Sequence, residues 1–201
     1  MHAALAFFGA TLLIATNAHG EDELGARGLR VKFGEGVALE AVGRWADALD
    51  RFGDIARVRP TPEVEFHVGL CLDRLGRLRQ ADRAYREARD RGWFTAPLVV
   101  SEANERLRDL DARMPRVTVG LDGDSRNVTI LLDGERVDGG VVQRLDAGPH
   151  VAIAARNGVP LAAVAFSTQE RRSRQITLRV LIRPIDQAAR DRPIARATAS
   201  R

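Results

Sequence analysis

The chain has 201 residues, 45% of them hydrophobic, enough to bury the cores of two small domains rather than one large one. All 31 basic residues except Lys32 are arginine, and the net charge of +4 sits mostly at the C-terminus: residues 181–201 are net +3, while residues 21–180 are net +1. A nearly neutral body excludes the basic stripe on a structured face that nucleic-acid binding needs, and a mean hydropathy of -0.20 with 45% apolar residues excludes a disordered polymer.

Residues 1–20 contain no Lys, Arg, Asp or Glu, and the apolar run over 3–15 is followed by Thr16, Asn17, Ala18, His19 and Gly20. This resembles a secretory signal peptide cleaved near Ala18 or Gly20, although only His2 could supply charge before the run. An uncleaved anchor and a buried first helix are the other readings. The run is shorter than the roughly 20 apolar residues a spanning helix needs, so no integral membrane segment is expected after signal removal. An exported chain, periplasmic or associated with the cell envelope, follows from this reading, with residues 21–28 as a short N-terminal segment. The single cysteine, Cys71, lies between Leu70 and Leu72, which favours a buried thiol and makes an internal disulfide impossible.

Self-similarity appears at an offset of 33. Gly36 recurs as Gly69, Leu39 as Leu72, Gly43 as Gly76, Trp45 as Leu78, Ala48 as Ala81 and Phe52 as Tyr85. Each unit, 29–61 and 62–95, reads as an apolar helix containing a glycine, a glycine turn, and a second helix with alanine four residues before an aromatic. Small residues let two antiparallel helices approach, and the aromatic fills the remaining gap. The pattern resembles the tetratricopeptide repeat, whose unit is about 34 residues. Gly36, Gly43, Ala48, Phe52 and Pro60 match that family's signature in the first unit. Gly69, Gly76, Ala81, Tyr85 and Ala88 match it in the second, where Gly92 stands in place of the closing proline. Two units leave an apolar face open. The stripe Val100, Ala103, Leu107, Leu110, opening at Pro97, predicts a capping helix over 97–112, and Trp93 and Phe94 before it are expected to be packing staples. The helical domain is expected over 29–114.

After Pro115 the period changes to short β-branched runs, at 117–119, 127–132, 151–155, 161–166 and 176–180, with Asp122-Gly123, Asp133-Gly134 and Asn157-Gly158 as turn dipeptides. They predict a small all-β sandwich over 115–180. The run Val128-Thr129-Ile130-Leu131-Leu132-Asp133-Gly134 and the later Leu145-Asp146-Ala147-Gly148-Pro149-His150 resemble the PEGA family of small extracytoplasmic β domains. That family's naming tetrapeptide is absent, with Gly123-Asp124-Ser125-Arg126 in its place. The predicted fold class is therefore multidomain, a tetratricopeptide-like helical hairpin array followed by a PEGA-like sandwich, with a flexible Arg-rich tail over 181–201. The same order of parts resembles a group of exported proteins common in myxobacteria and their relatives.

No constellation for catalysis, cofactor or metal stands out, so the chain is expected not to be an enzyme and to need no cofactor. His67 and His150 fall in different domains, and each is expected to be a satisfied structural residue. Asp122-Gly123-Asp124 hints at a calcium loop, but Arg126 falls where an oxygen ligand belongs, so a turn is expected. Asn127-Val128-Thr129 matches a glycosylation acceptor pattern, incidental on the expectation of a bacterial origin. By the resemblance, the first helix of each unit lines a concave groove, formed by Arg30, Phe33, Val37 and Glu40 with Glu63, Phe66, Leu70, Asp73 and Arg74. Phe33 and Phe66 would anchor a protein partner, an apolar helix or extended peptide of unknown identity, unless the chain's own N-terminal segment covers them. The expected function is a periplasmic scaffold or adaptor. The alternative is a structural envelope component that contacts cell-wall or surface polymer through the β domain and tail.

Overall fold

The computed structural model describes residues 15–181, with side chains described from residue 25. Most of the expected signal peptide, residues 1–14, and the tail over 182–201 lie outside the described residues. Five helices, α1 (Ala15–Ala41), α2 (Trp45–Val58), α3 (Pro62–Arg74), α4 (Leu78–Gly92) and α5 (Pro97–Arg113), precede seven strands. The chain divides into two compact units at residues 112 and 113, close to the expected boundary. Residues 15–28 belong to α1, which runs unbroken through the expected cleavage positions and the N-terminal segment.

In the helical unit α1 packs on α2, α2 on α3 and α3 on α4. The two repeats are built alike down to their turns. Gly43 and Gly76 both have φ +74, the left-handed conformation that closes a helix without steric cost when no Cβ is present. After α1, Gly43 N–H donates to the Glu40 carbonyl and Arg44 N–H to that of Leu39, both at 2.9 Å; Gly76 and Arg77 repeat the pair onto Asp73 and Leu72. Helix α3 starts cleanly because Pro62 occupies its first turn and Thr61 Oγ1 accepts from Val64 N–H at 3.3 Å.

Close helix approach rests on the matched glycines. A Cβ on Gly36 would lie 2.7 Å from the Phe52 ring, and one on Gly69 would lie 2.7 Å from the Tyr85 ring. Ala48, Phe52, Ala81 and Tyr85 are fully buried. Burying one such aromatic stabilises by about 1.5–3 kcal/mol. Helix α5 follows the array with Ala103, Leu107 and Leu110 buried. Trp93 and Phe94 correct the expectation made for them: they are 64% and 91% exposed and hold nothing together. The junction is closed instead by Gly92, whose Cα faces Val100, Pro62 and Ala96.

The second unit holds strands β1 (Arg116–Gly123), β2 (Val128–Leu132), β3 (Glu135–Val137), β4 (Val142–Arg144), β5 (Gly148–Arg156), β6 (Val159–Thr168) and β7 (Ser173–Val180). They form two sheets, β4-β1-β7 and β3-β2-β5-β6, and β1 and β7 run parallel over their whole length. The inner faces make one core of Val117, Val119, Ile176, Leu178 and Val180 against Ile130, Leu132, Ala152, Ala154 and Phe166. The sandwich expectation holds, with β3 and β4 as additions. Asp133-Gly134 and Asn157-Gly158 have φ of 52, 87, 50 and 79, the primed turn that matches strand twist in a two-residue hairpin. Asp122-Gly123 instead continues β1 to its end.

Gly36→Ala and Gly69→Ala should each destabilise the helical unit by about 1–3 kcal/mol through overpacking, more than the gain of up to about 1 kcal/mol in helix propensity. Gly53→Ala in α2, where a Cβ meets nothing within 4 Å, should stabilise it. Urea melts followed by helical circular dichroism check the contrast, and equal effects at all three glycines would contradict the close-approach account.

Candidate functional site

The first helices of the two repeats, α1 and α3, meet directly. Phe33 lies edge-on to Phe52 at 5.3 Å and to His67 at 5.1 Å, and Phe52 stacks on His67 at 4.8 Å. Two turns further along α1, Glu40 Oε2 accepts from His67 Nδ1 at 2.8 Å, and Cys71 Sγ donates to Glu40 Oε1 at 3.3 Å. His67 and Cys71 are four residues apart on α3, so they share a face and reach the same carboxylate. The Glu40 side chain is 9% exposed. A carboxylate withdrawn this far from water stays only when its lone pairs are used, and here one oxygen holds each partner.

The groove expected from sequence is thus partly consumed by the fold. Phe66 is buried and packs on Tyr85 at 5.5 Å, and Asp73 is buried too. Phe33, Glu40 and Leu70 are half-buried. Arg30, Val37, Glu63 and Arg74 remain exposed on the α1 and α3 surface. Arg74 is held over the Trp45 ring at 5.3 Å, a cation–π contact that fixes its direction. Phe33 is packed by Phe52 and His67. Of the residues expected to line the groove, it is Val37 and the charged Arg30, Glu63 and Arg74 that are exposed, not the aromatic pair.

Sequence reasoning missed the pairing of Glu40 with His67 and Cys71, because residues 27 and 31 positions apart give no local sign of contact. Cys71 is fully buried. Burial first, then the hydrogen bond and charge of Glu40, push its thiol well above the ordinary range. The thiolate needed for nucleophilic or metal chemistry is therefore suppressed.

A second polar cluster lies in the β unit. His150 Nδ1 donates to Asp133 Oδ2 at 2.7 Å, and Nε2 lies 3.0 Å from the Asp146 carbonyl and 3.1 Å from Thr168 Oγ1. Asp133 Oδ1 also accepts from Val151 N–H at 2.9 Å, so one turn residue ties β5 to the β2–β3 hairpin. The order is carboxylate, imidazole, hydroxyl, and the hydroxyl of buried Thr168 donates to the Asp146 carbonyl at 2.7 Å. It cross-links the sandwich. The hint of a calcium loop resolves likewise. Asp124 pairs with Arg126 at 3.0 Å and Arg156 at 3.1 Å, and the Arg126 contact first of all lowers its carboxyl to about 2. Among the described residues no group of three or more His, Cys, Asp or Glu is placed to hold a metal, and no helix is long and apolar enough to cross a membrane.

No family model and no curated protein matches the chain. Among solved structures it is similar to PcrH from Pseudomonas aeruginosa, at 23% sequence identity and a TM-score of 0.40. The similarity covers 42% of this chain and 66% of that one, just under two thirds of its length.

Two outcomes follow. Cys71 should resist an aromatic disulfide reagent at pH 8 in the native protein and react only in step with urea unfolding; labelling that precedes loss of helicity would show the thiol to be accessible. Asp124 has a folded value below its unfolded value of about 3.9, so its contribution to stability is present above about pH 4 and disappears as pH falls toward 2. Calorimetry of Asp124→Asn should show a lower melting temperature at pH 7 and a shallower fall between pH 4 and 2 than the parent chain.

Proposed function

We propose that the helical unit is a non-enzymatic protein-binding scaffold that takes its partner on the face shared by α1 and α3. One observation supports this above the rest: α1 and α3 are locked side by side through Glu40, His67 and Cys71, leaving Arg30, Val37, Glu63 and Arg74 exposed on the rigid surface so formed. Pre-ordered surfaces of this kind bind without a large ordering cost. Arg30 and Arg74 with Glu63 around Val37 favour an amphipathic helix or extended peptide carrying both charges, with one apolar side chain over Val37. The exposed residues replace the expected Phe33 and Phe66 anchor, because Phe66 is engaged by Tyr85.

On this reading the chain is exported and works in the periplasm or cell envelope, with the apolar run over 3–15 as its signal and the β unit as a PEGA-like module. The tail over 181–201 and contact with envelope polymer belong to the alternative reading.

A photo-crosslinking side chain at Val37 or at Glu63 should capture one and the same protein in the native host, and the double change Val37→Glu, Arg74→Glu should abolish that capture with helicity retained. A probe on the opposite side of the unit, at exposed Arg83 in α4, should not capture it. Equal capture from both sides would overturn the α1–α3 face as the site. Export is checked separately by fractionation and mass. A full 22.0 kDa product confined to the cytoplasm would refute it without touching the binding face.

A further inference from the structure

The net +1 of residues 21–180 conceals a local separation of charge in the β unit. Residues 113–180 hold ten arginines and seven Asp or Glu. Several of these arginines are matched: Arg126 and Arg156 pair with Asp124, and Arg179 pairs with Asp122. Six others, Arg113, Arg116, Arg144, Arg171, Arg172 and Arg174, fall in three short segments round the start of β1, where the acids are Asp146 and Glu170. Those segments are therefore net +4, while the rest of the unit, four arginines against five acids, is net -1.

Main-chain bonds bring the three segments together. Arg171 N–H donates to the Arg113 carbonyl at 2.7 Å, Arg116 N–H to that of Arg172 at 3.0 Å, and Leu145 N–H to that of Pro115 at 3.0 Å. Val117 and Val119 turn inward, so Arg116 stands on the outer face of the β4-β1-β7 sheet. Arg144 is its partner in the register on one side and Ser173 on the other, which sets two arginines and a hydroxyl in one row about 5 Å apart. Like charges directly opposite each other destabilise a sheet. Arg171 adds a second cost, since its φ of 61 is a left-handed conformation that Asn or Gly adopts more readily. Glu170 is already engaged, accepting from Arg113 Nε at 2.9 Å and Nη2 at 3.1 Å. Among the described residues the exposed side chains of Arg171 and Arg172 make no ion pair. Stability alone gives no reason for this row and this turn, whereas an anion from outside offsets the cost of both.

We propose that this patch docks on the head-group layer of an anionic phospholipid surface. Two neighbours of the arginines decide for lipid. The next row on the same outer face holds Val142 opposite Thr118, and both Val142 and Val141 before it are exposed. Apolar side chains bordering a basic row suit an interface, where they enter the boundary of the acyl chains while the guanidiniums stay at the phosphates. A soluble polyanion has no use for them. The other neighbour is Phe166, the one Phe, Tyr or Trp of residues 113–180, which is buried. No exposed ring is therefore offered on which the bases of a single-stranded nucleic acid could stack. Each basic residue held near an anionic bilayer strengthens partitioning about fivefold, so a net +4 gives reversible, salt-sensitive attachment.

The test is cosedimentation of the full-length protein with vesicles of phosphatidylcholine, alone or with a third phosphatidylglycerol. A preference for the second is expected, falling as salt is raised. Arg171→Asn with Arg172→Gln should reduce that preference roughly 25-fold, at about fivefold per charge, with the melting temperature unchanged or raised because Asn suits the left-handed turn. Arg171→Lys with Arg172→Lys should keep most of it. Removing two charges from the tail instead, by Arg190→Gln with Arg192→Gln, should reduce it far less. Val142→Ser should weaken attachment to the phosphatidylglycerol vesicles at the same salt. Equal attachment to both vesicles, attachment to neither, or tail changes as damaging as the turn changes would overturn the proposal. So would displacement from the vesicles by a single-stranded oligonucleotide at equal phosphate concentration, which would assign the patch to nucleic acid. None of these outcomes bears on the α1–α3 face.

Discussion

The contact of a glycine with an aromatic ring, Gly36 with Phe52 and Gly69 with Tyr85, sets everything else in the helical unit. A side chain of any size on the glycine would meet the ring at 2.7 Å, so the spacing between the helices of each hairpin is fixed by the absence of a Cβ. That spacing brings Phe33 within reach of Phe52 and, across the repeat boundary, of His67. The aromatic layer in turn positions His67 Nδ1 at Glu40. A local composition choice in one helix therefore sets the register of the next repeat.

The Glu40 carboxylate costs desolvation and is held by two donors from one helix face, an imidazole and a thiol. Taken alone such a buried polar group is weak evidence for stability, since apolar residues of the same volume often do as well. Its effect is on specificity: only the register that places His67 and Cys71 one turn apart beneath Glu40 satisfies it. Tyr85 shows what happens without such provision. Its ring fills the second hairpin as Phe52 fills the first, but among the described residues its buried hydroxyl has no partner, which costs about 1–3 kcal/mol. Burial, with Asp73 adding to it, holds that phenol above its ordinary range.

The helical repeat was legible because its determinants are local and periodic: glycine, alanine and aromatic at fixed offsets, repeated at 33. The β strands were legible for a related reason, since Asp133-Gly134 and Asn157-Gly158 close two-residue hairpins, although the same signal at Asp122-Gly123 ends a strand instead. Strands β3 and β4 were not, because three residues cannot show a period. Nor was the parallel pairing of β1 with β7, which joins segments 57 residues apart, Arg116 with Ser173, without a signal in either. Of the candidate site, the face was legible and the assignment of side chains to it was not. Helical spacing puts Phe33, Phe66, Val37 and Glu40 on the right helices. It cannot say that Phe66 turns into its own hairpin while Val37 stays in water, because that depends on Tyr85, nineteen positions later. Trp93 and Phe94 failed for the opposite reason: size suggested burial where the chain had already closed the junction with Gly92.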